Sequence, residues 1–247
     1  MDHPNANKEN SAPGTESSPV RSVLFLGNSY TYFNDMPSMF GAACAAAGYT
    51  IKVESVTRGG CFLRQFEDSE DPLYEKLHNL LEANRFDTVF LQEQSVLPAS
   101  NPAAFLAAAR ALCNRLRAHG ARIYLYQTWG RKEPSETLTK HGWTNRSMTE
   151  KLANAYTAAA KALSCGRSPV GAAFSAVGEH FPQIELYNPD HSHPSAAGSY
   201  LAALCHFAVL FGISPAGLAY TADLPKETAR ILQSAATAAA LDADKNE

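Results

Sequence analysis

The chain has 247 residues, of which 45% are apolar or aromatic and 18% charged, with a net charge of −3. That composition is globular rather than disordered, and a slightly acidic chain with no basic stripe lacks the electrostatic footprint of a nucleic-acid binder. The longest apolar stretch, residues 201–213, is interrupted by His206 and Gly212 and is too short to cross a bilayer, though long enough for a buried helix.

Residues 1–20 are rich in Asn, Ser, Pro and Glu with scarcely an apolar anchor, and read as a disordered arm ahead of a domain spanning 21–247. The arm has no apolar signal region, and the cysteine count is an odd five with no CxxC spacing, the pattern of reduced thiols. Both observations point to the cytoplasm. No metal-ligand spacing is visible among the histidines, so neither a metal nor another cofactor is expected.

Val23-Leu24-Phe25-Leu26, ending at Gly27, is a short apolar run suited to a strand buried on both faces. Met36 to Ala47 has helical spacing and stops at Gly48, and residues 51–56 alternate as a second strand. A helix is predicted over 73–83, a third strand over 88–91, and a long helix from Pro102 to Ala118 closed by Gly120. Residues 122–126 form a fourth strand, and 148–163 a helix. A short fifth strand is expected at Pro169-Val170-Gly171. Helices over 196–211 and 225–240 complete the chain. The polar segment from Gly130 to Asn145 is longer than a usual connection and is a candidate lid or binding loop. Strands alternating with helices imply βαβ units, hence an α/β protein: a three-layer α/β/α sandwich with a flavodoxin-like parallel sheet of about five strands.

In such sheets, ligands bind beyond the carboxyl ends of the strands. The polar blocks that follow the apolar runs are Gly27-Asn28-Ser29-Tyr30-Thr31, Arg58-Gly59-Gly60-Cys61, Gln92-Glu93-Gln94-Ser95 and Gln127-Thr128-Trp129-Gly130. A fifth, Asp190-His191-Ser192-His193-Pro194, precedes the last major helix. All five should gather on one edge of the sheet. Serine becomes a useful nucleophile once a base removes its proton, and histidine has the suitable ionisation range. Ser29 at a strand-to-helix turn, His193 as base and Asp190 as the group orienting the imidazole would make a triad.

In these blocks the chain resembles the SGNH (GDSL-like) hydrolases, a family of esterases and lipases. VLFLGNSYT stands where the family has its nucleophile, Gly60 where it uses a backbone oxyanion donor, LQEQS where it has an oxyanion asparagine, and Asp190-x-x-His193-Pro194 where it has its acid and base. The resemblance spans nearly all of residues 21–215 and is strongest to a bacterial group with GNSxT, LQExS and HPSxxGSYLA signatures. It implies a serine esterase acting on a small-molecule ester. The family includes lipases, thioesterases, arylesterases and carbohydrate O-acetylesterases; with no long apolar groove or amphipathic lid helix evident, short acyl groups such as an O-acetyl on a carbohydrate are expected. The charge and the short apolar stretch point to no nucleic-acid or membrane partner.

The oxyanion hole is assigned to the backbone N–H groups of Ser29 and Gly60 and the side-chain amide of Gln92. Gly59 is the rival of Gly60, and Gln94 the rival of Gln92. The chain differs from the family in carrying Asn28 where an acid precedes the nucleophile, and Gln92 in place of asparagine. Asn28, Trp129, Tyr126 and Arg58 are candidate substrate contacts, with Trp129 and Tyr126 equally readable as core. Strand alternation would turn Glu93 away from the site toward a rim salt bridge. His191, His206 and Cys61 are read as non-catalytic. A flavodoxin-like mononucleotide binder, with Gly27 to Thr31 cradling phosphate, and a glycan-binding module without turnover are the alternatives.

Overall fold

Val23, Leu24, Phe25 and Leu26 lose all contact with water because they form an interior strand with a helical layer on each face. In the computed structural model, which describes residues 22–242, the order is β1 (Ser22–Gly27), α1 (Ser29–Tyr32), α2 (Met36–Ala46), β2 (Lys52–Thr57), α3 (Pro72–Ala83), β3 (Thr88–Leu91), α4 (Leu97–Ser100) and α5 (Pro102–Ala118). Next come β4 (Arg122–Tyr126), α6 (Glu136–His141), α7 (Asn145–Leu163), β5 (Gly166–Ser168), α8 (Val170–His180), α9 (Ala196–Phe211) and α10 (Lys226–Thr237). The arm expected over residues 1–20 lies outside the described residues.

Every strand pairing is parallel, in the order β2-β1-β3-β4-β5. The chain therefore winds outward in one direction from β1 to β2 and in the other from β3 to β5. The loops leaving β1 and β3 diverge to opposite faces, which opens a crevice at their carboxyl ends. Side chains alternate about the sheet. Val23, Phe25, Phe90 and Tyr126 join the core beneath α2, α8, α9 and α10. Leu24, Leu26, Val89, Leu91 and Leu125 join the core beneath α3, α5 and α7.

Local chemistry sets the helix starts. Asp71 and Asn101 cap α3 and α5 ahead of Pro72 and Pro102, and Ser195 caps α9 by accepting from the Gly198 N–H. The apolar stretch recognised in the sequence is α9, buried almost all round. Among the described residues no helix is long and apolar enough to cross a membrane.

Three expectations need correction. The fifth strand is Gly166–Ser168, and Pro169-Val170-Gly171 instead opens α8, an additional helix. Gly166 sits under the Tyr124 ring, where a Cβ would collide, so the strand lacks the apolar signature of its neighbours. The segment from Gly130 to Asn145 is not wholly irregular, because α6 forms within it. The helix expected from Met148 begins a turn earlier, where Thr144 accepts from the Ser147 N–H.

Candidate active site

β1 stops at Gly27 because the turn needs room: a Cβ there would lie 2.5 Å from Thr31 Oγ1 and 2.6 Å from Gln92 Oε1. Asn28 then caps α1, its Oδ1 accepting from the Tyr30 N–H at 3.2 Å. Its Nδ2 donates to the Cys61 carbonyl at 3.0 Å, tying the β1 turn to the loop after β2. Ser29 is thereby fixed in the first turn of a helix, where a backbone N–H has no intrahelical acceptor.

The Asp190–Pro194 block folds back over this turn. Asn188 N–H donates to the His193 carbonyl at 2.8 Å, and His191 N–H to the Asn188 carbonyl at 2.9 Å, making a tight loop ahead of α9. Trp129 Nε1 donates to the Ser192 carbonyl at 3.1 Å, and the Ser192 hydroxyl lies 2.7 Å from the Tyr30 hydroxyl. The loop presents His193 with Nε2 at 2.8 Å from Ser29 Oγ and with Nδ1 hydrogen-bonded to Asp190 Oδ2. Asp190 Oδ1 also accepts from the N–H groups of Ser192 and His193, at 3.0 and 2.9 Å. Burial works against the Asp190 carboxylate, but these hydrogen bonds, led by that of the imidazole, outweigh it and hold the carboxyl below its ordinary range. A hydroxyl, an imidazole and a carboxylate are thus in hydrogen-bond sequence, the geometry that proton removal from a serine requires.

Ser29 and His193 open on a cavity of about 290 Å³, walled by Gly60, Gln94, Ser95 and Arg131 among others. Gly60, at φ +66°, has no hydrogen-bond acceptor for its N–H among the described loop contacts. Gln94 Oε1 accepts from the Val96 and Leu97 N–H groups at 2.8 and 3.0 Å, which leaves its Nε2 uncommitted.

Gln92 does not meet the expectation of a free donor. Its Oε1 accepts from the Asn28 N–H and the Thr31 hydroxyl, both at 2.9 Å, and its Nε2 donates to the Glu93 carbonyl. It is a buried brace between β1 and β3, whereas Gln94 reaches the cavity. Glu93 is likewise not at the rim. It is fully buried, its Oε1 accepting from the Leu63 and Gln94 N–H groups at 3.1 and 2.6 Å and its Oε2 unpartnered. Burial pushes its carboxyl up to about 7 against the pull of those two N–H groups and of Arg64.

The candidate substrate contacts fall elsewhere. Trp129 is fully buried, sandwiched between Tyr30 and Phe174 at ring separations of 4.6 and 4.0 Å. Tyr126 is also core, with its hydroxyl donating to the Tyr30 carbonyl. Arg58 is held in a two-point pair with Asp71 at 2.8 and 2.7 Å and does not line the cavity. Asn28 borders the cavity, but its amide is committed to Tyr30 and Cys61. His191 turns to the Pro134 carbonyl at 2.7 Å. Burial pushes the Cys61 thiol up to about 11, and the buried His206 imidazole down to about 3.

Arg131, in a polar loop, has no motif to single it out, and Ser95 and Ser192 stand inside the LQEQS and Asp190–Pro194 blocks without an assigned role; all three line the cavity. A larger concavity of about 580 Å³, bordered by Lys132, Asn145 and Tyr187, holds neither Ser29 nor His193. Among the described residues, no group of three or more His, Cys, Asp or Glu is arranged to hold a metal ion.

No protein-family model and no curated protein matches the chain. Solved structures do. The chain is similar to a Slackia heliotrinireducens protein described as an SGNH hydrolase, at 31% identity and TM-score 0.68, over 76% of this chain and 97% of that one. A DUF4886 family protein from Bacteroides uniformis is similar at 19% identity and TM-score 0.76, over 91% of this chain and 96% of that one. An acetyl xylan esterase shares the fold at 15% identity and TM-score 0.59, over 76% of this chain and 98% of that one.

Proposed function

The chain belongs to the SGNH hydrolase family, and from that premise we propose that it is a serine esterase with Ser29 as nucleophile, His193 as general base and Asp190 as the group orienting the imidazole. The observation that carries this reading is the unbroken hydrogen-bond sequence from Ser29 Oγ through His193 to Asp190.

Ser29 Oγ attacks the ester carbonyl carbon as its proton passes to His193 Nε2, and the carbonyl electron pair moves onto oxygen. The N–H groups of Ser29 and Gly60 and the Nε2 amide of Gln94 surround that oxygen, and each such donor is worth about 10²–10³ in rate. Collapse of the intermediate breaks the bond to the alcohol, which leaves with the proton held by His193. Water then repeats the sequence on the acyl-enzyme and frees the acid. Asp190 stabilises the imidazolium in both halves.

A cavity of about 290 Å³ suits a small acyl group. Acetyl xylan esterases share the fold, which supports O-acetyl groups on a carbohydrate as the substrate class. The test is hydrolysis of p-nitrophenyl acetate and longer esters by wild type, Ser29→Ala and His193→Ala. Turnover that is highest on acetate and lost in both variants is the expected result. Undiminished turnover in either variant overturns the reading.

A further inference from the structure

Arg131, from the segment after β4, forms part of the wall of the Ser29 cavity. Its side chain has one hydrogen bond, to Ser95 Oγ at 3.2 Å, and its Nε is buried without a partner. Two other partly buried arginines of this fold meet a carboxylate, Arg58 with Asp71 and Arg115 with Glu67, and a third, Arg167, meets the Gln127 amide oxygen. Among the described residues, no carboxylate lies within ion-pair distance of Arg131. The carboxylate on the same wall, Asp190, is engaged by His193. A guanidinium drawn partly out of water with a single hydroxyl partner is unfavourable until an anion completes it. Its planar fork matches a carboxylate in two-point geometry.

We propose that the ester cleaved at Ser29 carries a carboxylate beside the scissile bond, and that Arg131 binds it and sets specificity for it. The inference rests on the esterase reading and narrows its substrate class. A sugar acid bearing an O-acetyl group combines both requirements.

Two pairs of similar size but different charge state, one ester anionic and the other neutral, test it by pH-stat assay on the full chain: monoethyl succinate against ethyl pentanoate for the acyl side, and O-acetylglycolate against O-acetylglycolamide for the alcohol side. In at least one pair the wild-type kcat/KM for the anionic ester exceeds that for the neutral one by about tenfold or more, the scale of a charged hydrogen bond. That ratio collapses toward one in Arg131→Gln and survives in part in Arg131→Lys. In wild type it also shrinks as NaCl is raised, because the pair is screened. A wild-type ratio near one in both pairs, or a ratio that persists in Arg131→Gln, overturns the carboxylate inference and leaves the esterase reading intact. No hydrolysis of any of the four esters or of p-nitrophenyl acetate overturns both.

Discussion

The imidazole of His193 lies flat against the ring of Phe33, with centroids 4.2 Å apart and planes 9° apart. Phe33 is held in turn by the segment that follows Ser29: its carbonyl accepts from the Ser199 hydroxyl at 3.1 Å, and the next residue, Asn34, donates to the Pro194 carbonyl at 2.9 Å. The turn that follows α1 therefore supplies the surface that fixes the plane of the His193 imidazole, so that Nδ1 faces Asp190 while Nε2 faces Ser29. Removing the ring frees the imidazole to rotate. Phe33→Ala is expected to lower kcat about tenfold with a smaller change in KM. Steady-state kinetics on p-nitrophenyl acetate check this, and an unchanged kcat contradicts the positioning role.

The two glutamines should separate by phenotype. Gln94→Ala removes a donor at the cavity and is expected to cost about 10²–10³ in kcat, with a smaller loss of stability than at Gln92 because the Val96 and Leu97 N–H groups it leaves are only part-buried. Gln92→Ala strands the buried Asn28 N–H and Thr31 hydroxyl, and should lower stability by about 1–3 kcal/mol. Urea melts beside the kinetics distinguish them, and the reverse pattern would return the donor role to Gln92.

Asp190→Asn keeps the shape of the side chain but removes the charge proposed to stabilise the imidazolium. The expected loss in kcat is about 10³–10⁴. Because the Asp190 side chain is 47% exposed, the thermal midpoint should hardly move. A variant that retains most of its kcat would show that the carboxylate is dispensable.

Glu93 gives a pH signature in stability. Burial raises its folded carboxyl to about 7, above an unfolded value of roughly 4.3. The folded state thus holds the proton over a range where the unfolded state has lost it. The contribution is complete below roughly pH 4.3 and is lost as pH rises through about 7, by roughly 4 kcal/mol in all. Glu93→Gln removes this dependence, so wild type should weaken relative to the variant between pH 5 and pH 8. Parallel stability curves in urea would contradict it.

Much of the architecture is legible from local pattern alone. β1, α5, β4 and α9 have strong periodicity, capping residues and closing glycines, and they form where those signals put them. Ser29 and the Asp190-x-x-His193 block are legible because each is a compact polar break after or before a strongly apolar element. Strand β5 is not, since three residues under the Tyr124 ring have no apolar run to show. The Gln92 and Gln94 roles are not legible either. β3 ends at Leu91 and the chain then turns, so strand alternation no longer says which side chain faces the crevice. Hydrogen bonds to Asn28 and Thr31 on one side, and to Val96 and Leu97 on the other, decide it. Arg131 becomes visible when three loops converge around it.

The most direct test of the account is covalent trapping. The chain is treated with a fluorophosphonate and digested, and the labelled peptide is identified by mass spectrometry. A single adduct on Ser29, strongly reduced in His193→Ala and absent in Ser29→Ala, is the predicted result. An adduct on another residue, or esterase turnover that persists at the wild-type rate in Ser29→Ala, would contradict it.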